Sequence, residues 1–289
     1  MGKQTVAIIG AGKVGSILAK NLCKQGYELV GIASRTHESA DKLACQFGVP
    51  GVIKASNITQ YADIVFIATP DRCIGPVAEE VAQDGGFRSG QFVLHTSGGV
   101  SVETLSPASN AGAFIGSMHP LQSFADTESA IDSMNDIYFA LGGHEQAIAL
   151  AKKIVTELGG QSFIIPDKDR PRYHAAACIV SNYVVSLTHW ATQIYAGFGL
   201  SPQQAAAALM PLLQGTVSNL QHLGPTQALT GPISRGDGVT VAAHMAALEN
   251  DNEKKLYAQL GLYTVGVALE KSTIDEQQAA MLRSILENI

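Results

Sequence analysis

Val6-Ala7-Ile8-Ile9-Gly10-Ala11-Gly12-Lys13-Val14-Gly15 opens on four apolar residues and closes on a Gly-x-Gly-x-x-Gly pattern. The apolar run has the length and composition of a buried strand, and Val14 to Gln25 reads as a helix ended by Gly26. Between a strand and a helix the three glycines have separate duties. Gly10 allows the tight turn, Gly12 lets a diphosphate approach the backbone, and Gly15 lets helix and strand pack closely. The first helical turn, with Lys13 and Val14, then offers its free amides to an anion. These residues predict a dinucleotide site. The next strand, Glu28 to Ala33, runs into Ser34-Arg35-Thr36. An acid at that place would hold a ribose 2′-hydroxyl, and none is present. Arg35 can instead pair with a 2′-phosphate, with Ser34 and Thr36 as hydrogen-bond donors, so the expected cofactor is NADP(H). The plainer reading of Arg35 is a solvated loop cation.

Outward from this motif, short apolar runs recur at Ile64–Ala68, Phe92–His95, Phe114–Met118, Tyr138–Leu141 and Phe163–Ile165, with a helix expected over Glu145–Leu158. Continuous apolar strands separated by helices imply a sheet covered on both faces. Beyond Pro166 strand signals give way to Ala-rich helical stretches at 172–197, 201–223, 239–249, 252–271 and 275–287, with Ser201 and Asp275 as N-caps. The expected class is α/β: a Rossmann doubly wound, mostly parallel sheet over residues 1–166, followed by an all-α substrate and dimerisation domain over 167–289.

The chain has 289 residues, of which 46% are hydrophobic and 15% charged, a globular balance. Its net charge of −6 suits nucleic-acid phosphates poorly, so nucleic acid is not expected as a partner. Four cysteines lie outside any CxxC or His/Cys spacing, which points to reduced thiols and no metal. No leader-like segment opens the sequence and no apolar run is long enough to span a bilayer, so a cytoplasmic protein with no membrane partner is expected.

In such sheets ligands bind beyond the carboxyl ends of strands. Thr69-Pro70 and Ser97-Gly98 end two of them and are expected to run along the cofactor, and the Asp71-Arg72 pair that follows is read either as contact or as a solvated pair. His119, after the Phe114–Met118 strand, is a candidate acid or base, with a structural turn at Pro120 as the alternative. His174, Cys178 and Asn182 fall on one helical face with Ser181 beside it. Asn182 can orient a substrate or satisfy neighbouring backbone, and His174 is a second candidate acid. Thr230 to Asp237 forms a Gly/Pro-rich loop in which Arg235 and Asp237 are candidates for a substrate carboxylate or form a clamp of their own.

GAGKVG, SRT, HTSGG, GSMHPLQSF, YHAAACIVSNY and TGPISRGD together resemble one family along nearly the whole chain. It is the Rossmann-like family whose C-terminal helical domain was long catalogued as of unknown function. Members include an alternative class of ketopantoate reductase, so the resemblance implies NADPH-dependent reduction of 2-dehydropantoate in pantothenate and coenzyme A synthesis, by a homodimer. The architecture is also similar to pyrroline-5-carboxylate reductases and 6-phosphogluconate-type dehydrogenases. Common ketopantoate reductases carry Lys and Asn one turn apart, whereas one turn before Asn182 this chain has Cys178. His119 or His174 then replaces the missing acid. The His119-Pro120 turn is similar to that of prephenate dehydrogenases, which leaves a dehydrogenase of another small carboxylic acid as the second expectation. A cofactor-binding module without turnover is the third.

Overall fold

The computed structural model of the chain describes residues 3–124 and 134–288. It forms two compact units, Met1–Val185 and Ser186–Ile289. The first is built on one eight-stranded sheet in the order β3-β2-β1-β4-β5-β6-β7-β8. Its strands are β1 (Thr5–Ile9), β2 (Glu28–Ala33), β3 (Gly51–Val52), β4 (Ile64–Ile67), β5 (Phe92–His95), β6 (Phe114–Pro120), β7 (Tyr138–Gly143) and β8 (Gln161–Ile164). β3 through β6 pair in parallel, β7 runs antiparallel to β6, and β8 is parallel to β7. The strand order reverses between β1 and β4, which opens a crevice beside the Gly10 turn.

β1 shows why this half folds as expected. Val6 and Ile8 enter one core, with Ile17, Leu18 and Leu22 of α1 (Lys13–Lys24). Ala7 and Ile9 enter the other. The two-residue period of a strand sends alternate side chains to opposite faces, and here both faces are covered. Six further helices complete this unit: α2 (His37–Ala44), α3 (Ser56–Thr59), α4 (Asp71–Gln83), α5 (Ser106–Asn110), α6 (Glu145–Glu157) and α7 (Arg170–Cys178). α4 lines the second core with Ile74, Ala78 and Val81. Sequence reading passes over it because Gly75-Pro76 sits inside it, and Pro76 cannot donate to the preceding turn.

The helix expected over 172–197 is α7, then a single turn of π geometry at Ile179–Tyr183, then α8 (Val184–Ala196). Composition changes at residue 167, yet the compact unit ends at Val185. Residues 167–185 are helical as expected but pack with the sheet, because Arg170 and Tyr173 bond to Ser117 and His119 of β6.

The second unit holds α9 (Pro202–Gln227), α10 (Gly238–Ala247), α11 (Asp251–Glu270) and α12 (Glu276–Glu287). Ser201 and Asp275 both form capping boxes, with Gln204 and Gln278 as reciprocal partners. α9 bends at Gly224, whose φ of 76° interrupts the helix. Val241, Ala258, Val265, Ala268, Leu282 and Leu286 fill this unit's own core. Among the described residues no helix is long and apolar enough to cross a membrane.

Candidate functional site

The crevice at the head of the sheet is a cleft of about 510 Å³, bordered by Gly10, Gly12, Ser34, Arg35, Thr69 and Arg72. Gly10 holds φ at 117°, and a Cβ there would lie 2.5 Å from the Ala68 carbonyl oxygen. A Cβ on Gly15 would run into the Gly10 carbonyl oxygen, whereas at Gly12 it would meet no atom within 4 Å. The three glycines therefore serve a tight turn, close packing and an open approach. α1 starts with Gly12 at its cap, no side chain bonded to its free amides and no acid in its first turn. That leaves donors and a positive dipole end for an anion. Lys13 and Val14 form this first turn, with Lys13 exposed.

At the end of β2, Ser34 is half-buried and Arg35 is exposed, with no ion pair for Arg35 among the described residues. Arg72 brings a second guanidinium to the same cleft. Thr36 also borders the cleft, and its hydroxyl accepts from Ser39 N at 3.3 Å as the N-cap of α2 and donates to Ser39 Oγ at 2.8 Å. Pro70 caps α4. The Thr69 hydroxyl is buried with no hydrogen-bond partner among the described residues, although Thr69 borders the cleft. An orphaned donor, a glycine cradle and two cations beside an acid-free strand end fit a phosphorylated dinucleotide.

A second cavity of about 390 Å³ gathers His119, Gln122, His174, Cys178, Ser181 and Asn182. His119 and Asn182, expected from different domains, belong to the same compact unit. His119 is the penultimate residue of β6, opposite Ala140 of β7. Its Nδ1 is 2.8 Å from the Tyr173 hydroxyl. Its ring lies against Gly98, where a Cβ would come within 2.8 to 3.0 Å of three ring atoms. A Cβ on Gly99 would meet His174 Nδ1 at 3.3 Å. Two glycines thus seat two histidines, whose ring centroids are 6.0 Å apart.

Burial, then the proximity of His174 and the Arg170 charge, push His119 down to about 4 against the opposing pull of Asp71. The imidazole is neutral at physiological pH. The π turn brings Val180, Ser181 and Asn182 to one cavity, because each residue of its wider ring turns through a smaller angle than in an α-helix and three in succession share a narrower arc.

Ser97 shapes the turn that follows β5. Its hydroxyl accepts from Gly99 N at 3.2 Å and Val100 N at 3.1 Å, and its own amide donates to His95 Nδ1 at 3.2 Å. These bonds hold Ser97 in its turn. His95 is fully buried, and burial followed by the Arg170 charge drives it down to about 3.

Arg170 is a fully buried cation. Its Nε donates to Asp167 Oδ1 at 2.9 Å and its Nη2 to the Ser117 hydroxyl. Burial opposes ionisation of Asp167, but bonds from Ser101, Val102 and Arg170 hold its carboxyl below the usual range. Sequence reading singled out none of Tyr173, Arg170, Asp167 or His95. The signal at hand was the Asp167–Arg170 spacing of three, ahead of Tyr173-His174.

Arg235 and Asp237 lie in the second unit. Arg235 is exposed. Asp237 caps α10, accepting from Thr240 N at 3.0 Å and Thr240 Oγ1 at 2.6 Å. These bonds hold Asp237 at the start of α10. Among the described residues no group of three or more His, Cys, Asp or Glu is placed to hold a metal ion.

Residues 2–120 match the model of a Rossmann-like domain, and residues 137–264 match a domain of unknown function, DUF2520. A crystal structure of a Bacteroides fragilis protein assigned as an NADP oxidoreductase superposes with TM-score 0.76, 23% identity, and 91% and 98% of the two chains covered. A Thermotoga maritima protein gives 0.67 at 26% identity, covering 98% of each chain. Pyrroline carboxylate reductase from Plasmodium falciparum, solved with NADP bound, gives 0.57 at 15% identity, covering 97% and 99%. A segment of 66 residues is 35% identical to glutamyl-tRNA reductase of Methanothermobacter marburgensis; it is 22% of this chain and spans only 17% of that relative's length. The chain's fold is a Rossmann-like parallel sheet followed by a helical region, similar to that of these structures.

Proposed function

We propose that this chain is an NADP(H)-dependent oxidoreductase that reduces a small 2-keto acid, with 2-dehydropantoate the first substrate to test. The observation that carries the proposal is the acid-free end of β2, where Ser34 and Arg35 border a Gly-x-Gly-x-x-Gly cleft that Arg72 also lines. Gly10, Gly12 and the first amides of α1 would hold the diphosphate, and Arg35 with Ser34 the 2′-phosphate. The Thr69 hydroxyl, Pro70, Ser97 and Gly98 would serve the same ligand. The cofactor supplies a hydride when bound.

The chain's own residues do the rest. His119, neutral and seated on Gly98, hydrogen-bonds the carbonyl oxygen on which negative charge develops. Ser181 and Asn182 orient the substrate in the same cavity, and His174 stands beside His119 as the second candidate donor. Cys178 occupies the position of the lysine used by common ketopantoate reductases, so no ammonium is supplied there.

A neutral His119 also favours a second reading, a cyclic imine carboxylate. A protonated imine needs no acid from the protein, and pyrroline carboxylate reductase shares the fold. NADPH oxidation measured against a panel of 2-keto acids and cyclic imine carboxylates separates the two. Tight NADPH binding with no turnover on any member would leave a binding module and overturn both.

We also propose a homodimer through α9. This 26-residue helix buries only Ala205 and contains no charged residue between Pro202 and Gln227, while Met210, Leu212, Val217, Leu220 and Leu223 are exposed. An uncharged apolar face offers a second copy burial without repulsion. Light scattering that reports a monomer at micromolar concentration refutes it.

A further inference from the structure

We infer that Tyr173 is the positioning residue of the His119 pocket: its hydroxyl donates to His119 Nδ1 and fixes the tautomer that carries its proton on Nε2. The inference rests on the reading of that pocket as the reducing site.

A neutral imidazole carries one proton, so its tautomer decides whether the cavity meets a donor or a lone pair. Reduction of a carbonyl needs a donor at the oxygen. The Tyr173 hydroxyl lies 2.8 Å from Nδ1 and has no other hydrogen-bond partner among the described residues. Burial raises Tyr173 to about 12, so it keeps its proton, and Nδ1 is the acceptor within reach.

The ring is also held against a flip that would exchange its two nitrogens. Gly98 lies beneath it, and Tyr173 and His174 meet it edge-on at 85° and 84°. Tyr173 itself is fastened. Arg170 and Tyr173 are three apart on α7 and face one way. Ser117 and His119 are two apart on β6 and face one way as well. The pairs Arg170–Ser117 and Tyr173–His119 therefore fasten helix to strand at two points, and the first is buried and backed by Asp167. The titratable and charged groups around His119 are Tyr173, His174, His95, Asp71 and Arg170, and of these Asp71 favours a second proton.

The test is long-range proton–nitrogen NMR of the full-length chain without cofactor, with His119 assigned by loss of its signals in His119→Gln. The expected spectrum at neutral pH shows His119 protonated on Nε2 alone. Tyr173→Phe should convert it to a mixture of tautomers and lower kcat about tenfold or more, with NADPH affinity unchanged. An Nδ1-protonated or doubly protonated His119 in the unaltered protein overturns the inference, and needs no variant to fold. So does a Tyr173→Phe protein whose tautomer and kcat are both unchanged. Because the spectrum needs no substrate, failure of the whole substrate panel would refute the reductase reading while leaving the tautomer assignment supported.

Discussion

Arg35 illustrates how much a single side chain carries here. It is exposed, it has no ion pair among the described residues, and it stands where an acid would select the unphosphorylated cofactor. A charge-assisted hydrogen bond is worth about 1.5–3 kcal/mol, or about ten- to a hundredfold in affinity. Arg35→Ala should lose that much affinity for NADPH and little for NADH, and calorimetric titration of both cofactors would show it. Arg72 borders the same cleft, so a residual preference in the variant should vanish in the double substitution. At the second cavity, His119→Ala should lower kcat by about 10² to 10⁴ with NADPH affinity nearly unchanged. Asn182→Ala should act on kcat/KM through positioning. Near-normal turnover in His119→Ala would reassign the donor to His174.

The strand–helix pair β6 and α7 is the element on which the second cavity depends. Arg170 is buried while Asp167 is partly exposed, so their ion pair is worth less than a fully buried one. Arg170→Met removes the clamp to Ser117 and leaves the Asp167 carboxylate with its Ser101 and Val102 donors. A loss of about 2–3 kcal/mol is expected by chemical denaturation, with kcat falling as Tyr173 loses its anchor. The β5 turn gives an independent handle. Gly98→Ala would press a methyl into the His119 ring, so it should impair turnover far more than it lowers Tm. Equal turnover for Gly98→Ala and the unaltered chain would mean that the ring can move aside without consequence.

For the molecule as a whole, the fully buried His95 and the partly buried His119 set the response to acid. His95 and His119 have folded values of about 3 and about 4, against the ordinary 6.5. Above 6.5 neither state binds the proton, so stability does not change with pH on their account. Below it the unfolded chain takes up protons that the folded chain refuses, so stability falls with pH down to the folded values. Each unit of difference is worth about 1.4 kcal/mol, so the two sites together remove several kcal/mol between pH 6.5 and 4. Tm measured across that range should drop steeply, and less steeply for His95→Asn, whose amide oxygen can still accept from Ser97 N. A Tm independent of pH over this interval would contradict the burial of both rings.

What the sequence determined by itself is what local rules govern. Val6 to Ile9 read as a doubly covered strand, Gly10 to Gly15 prescribe their turn through φ and close approach, and Ser201 and Asp275 announce helices that start at the next residue. All of these act within a few residues, where backbone sterics and side-chain period leave few alternatives. The site was legible to the same depth: His119, His174, Ser181 and Asn182 were visible as candidates, and the structure brings them to one cavity. Their supports were not. Tyr173 meets His119 across 54 residues and Arg170 meets Ser117 across 53. Arg170 in particular reads from sequence as a surface cation, because a buried charge makes sense only once Asp167 and Ser117 are known to surround it. For the same reason composition placed the division of the chain at residue 167, and the packing placed it after Val185. Helical texture belongs to the local sequence, whereas the body a helix joins depends on which distant polar groups its buried side chains must satisfy.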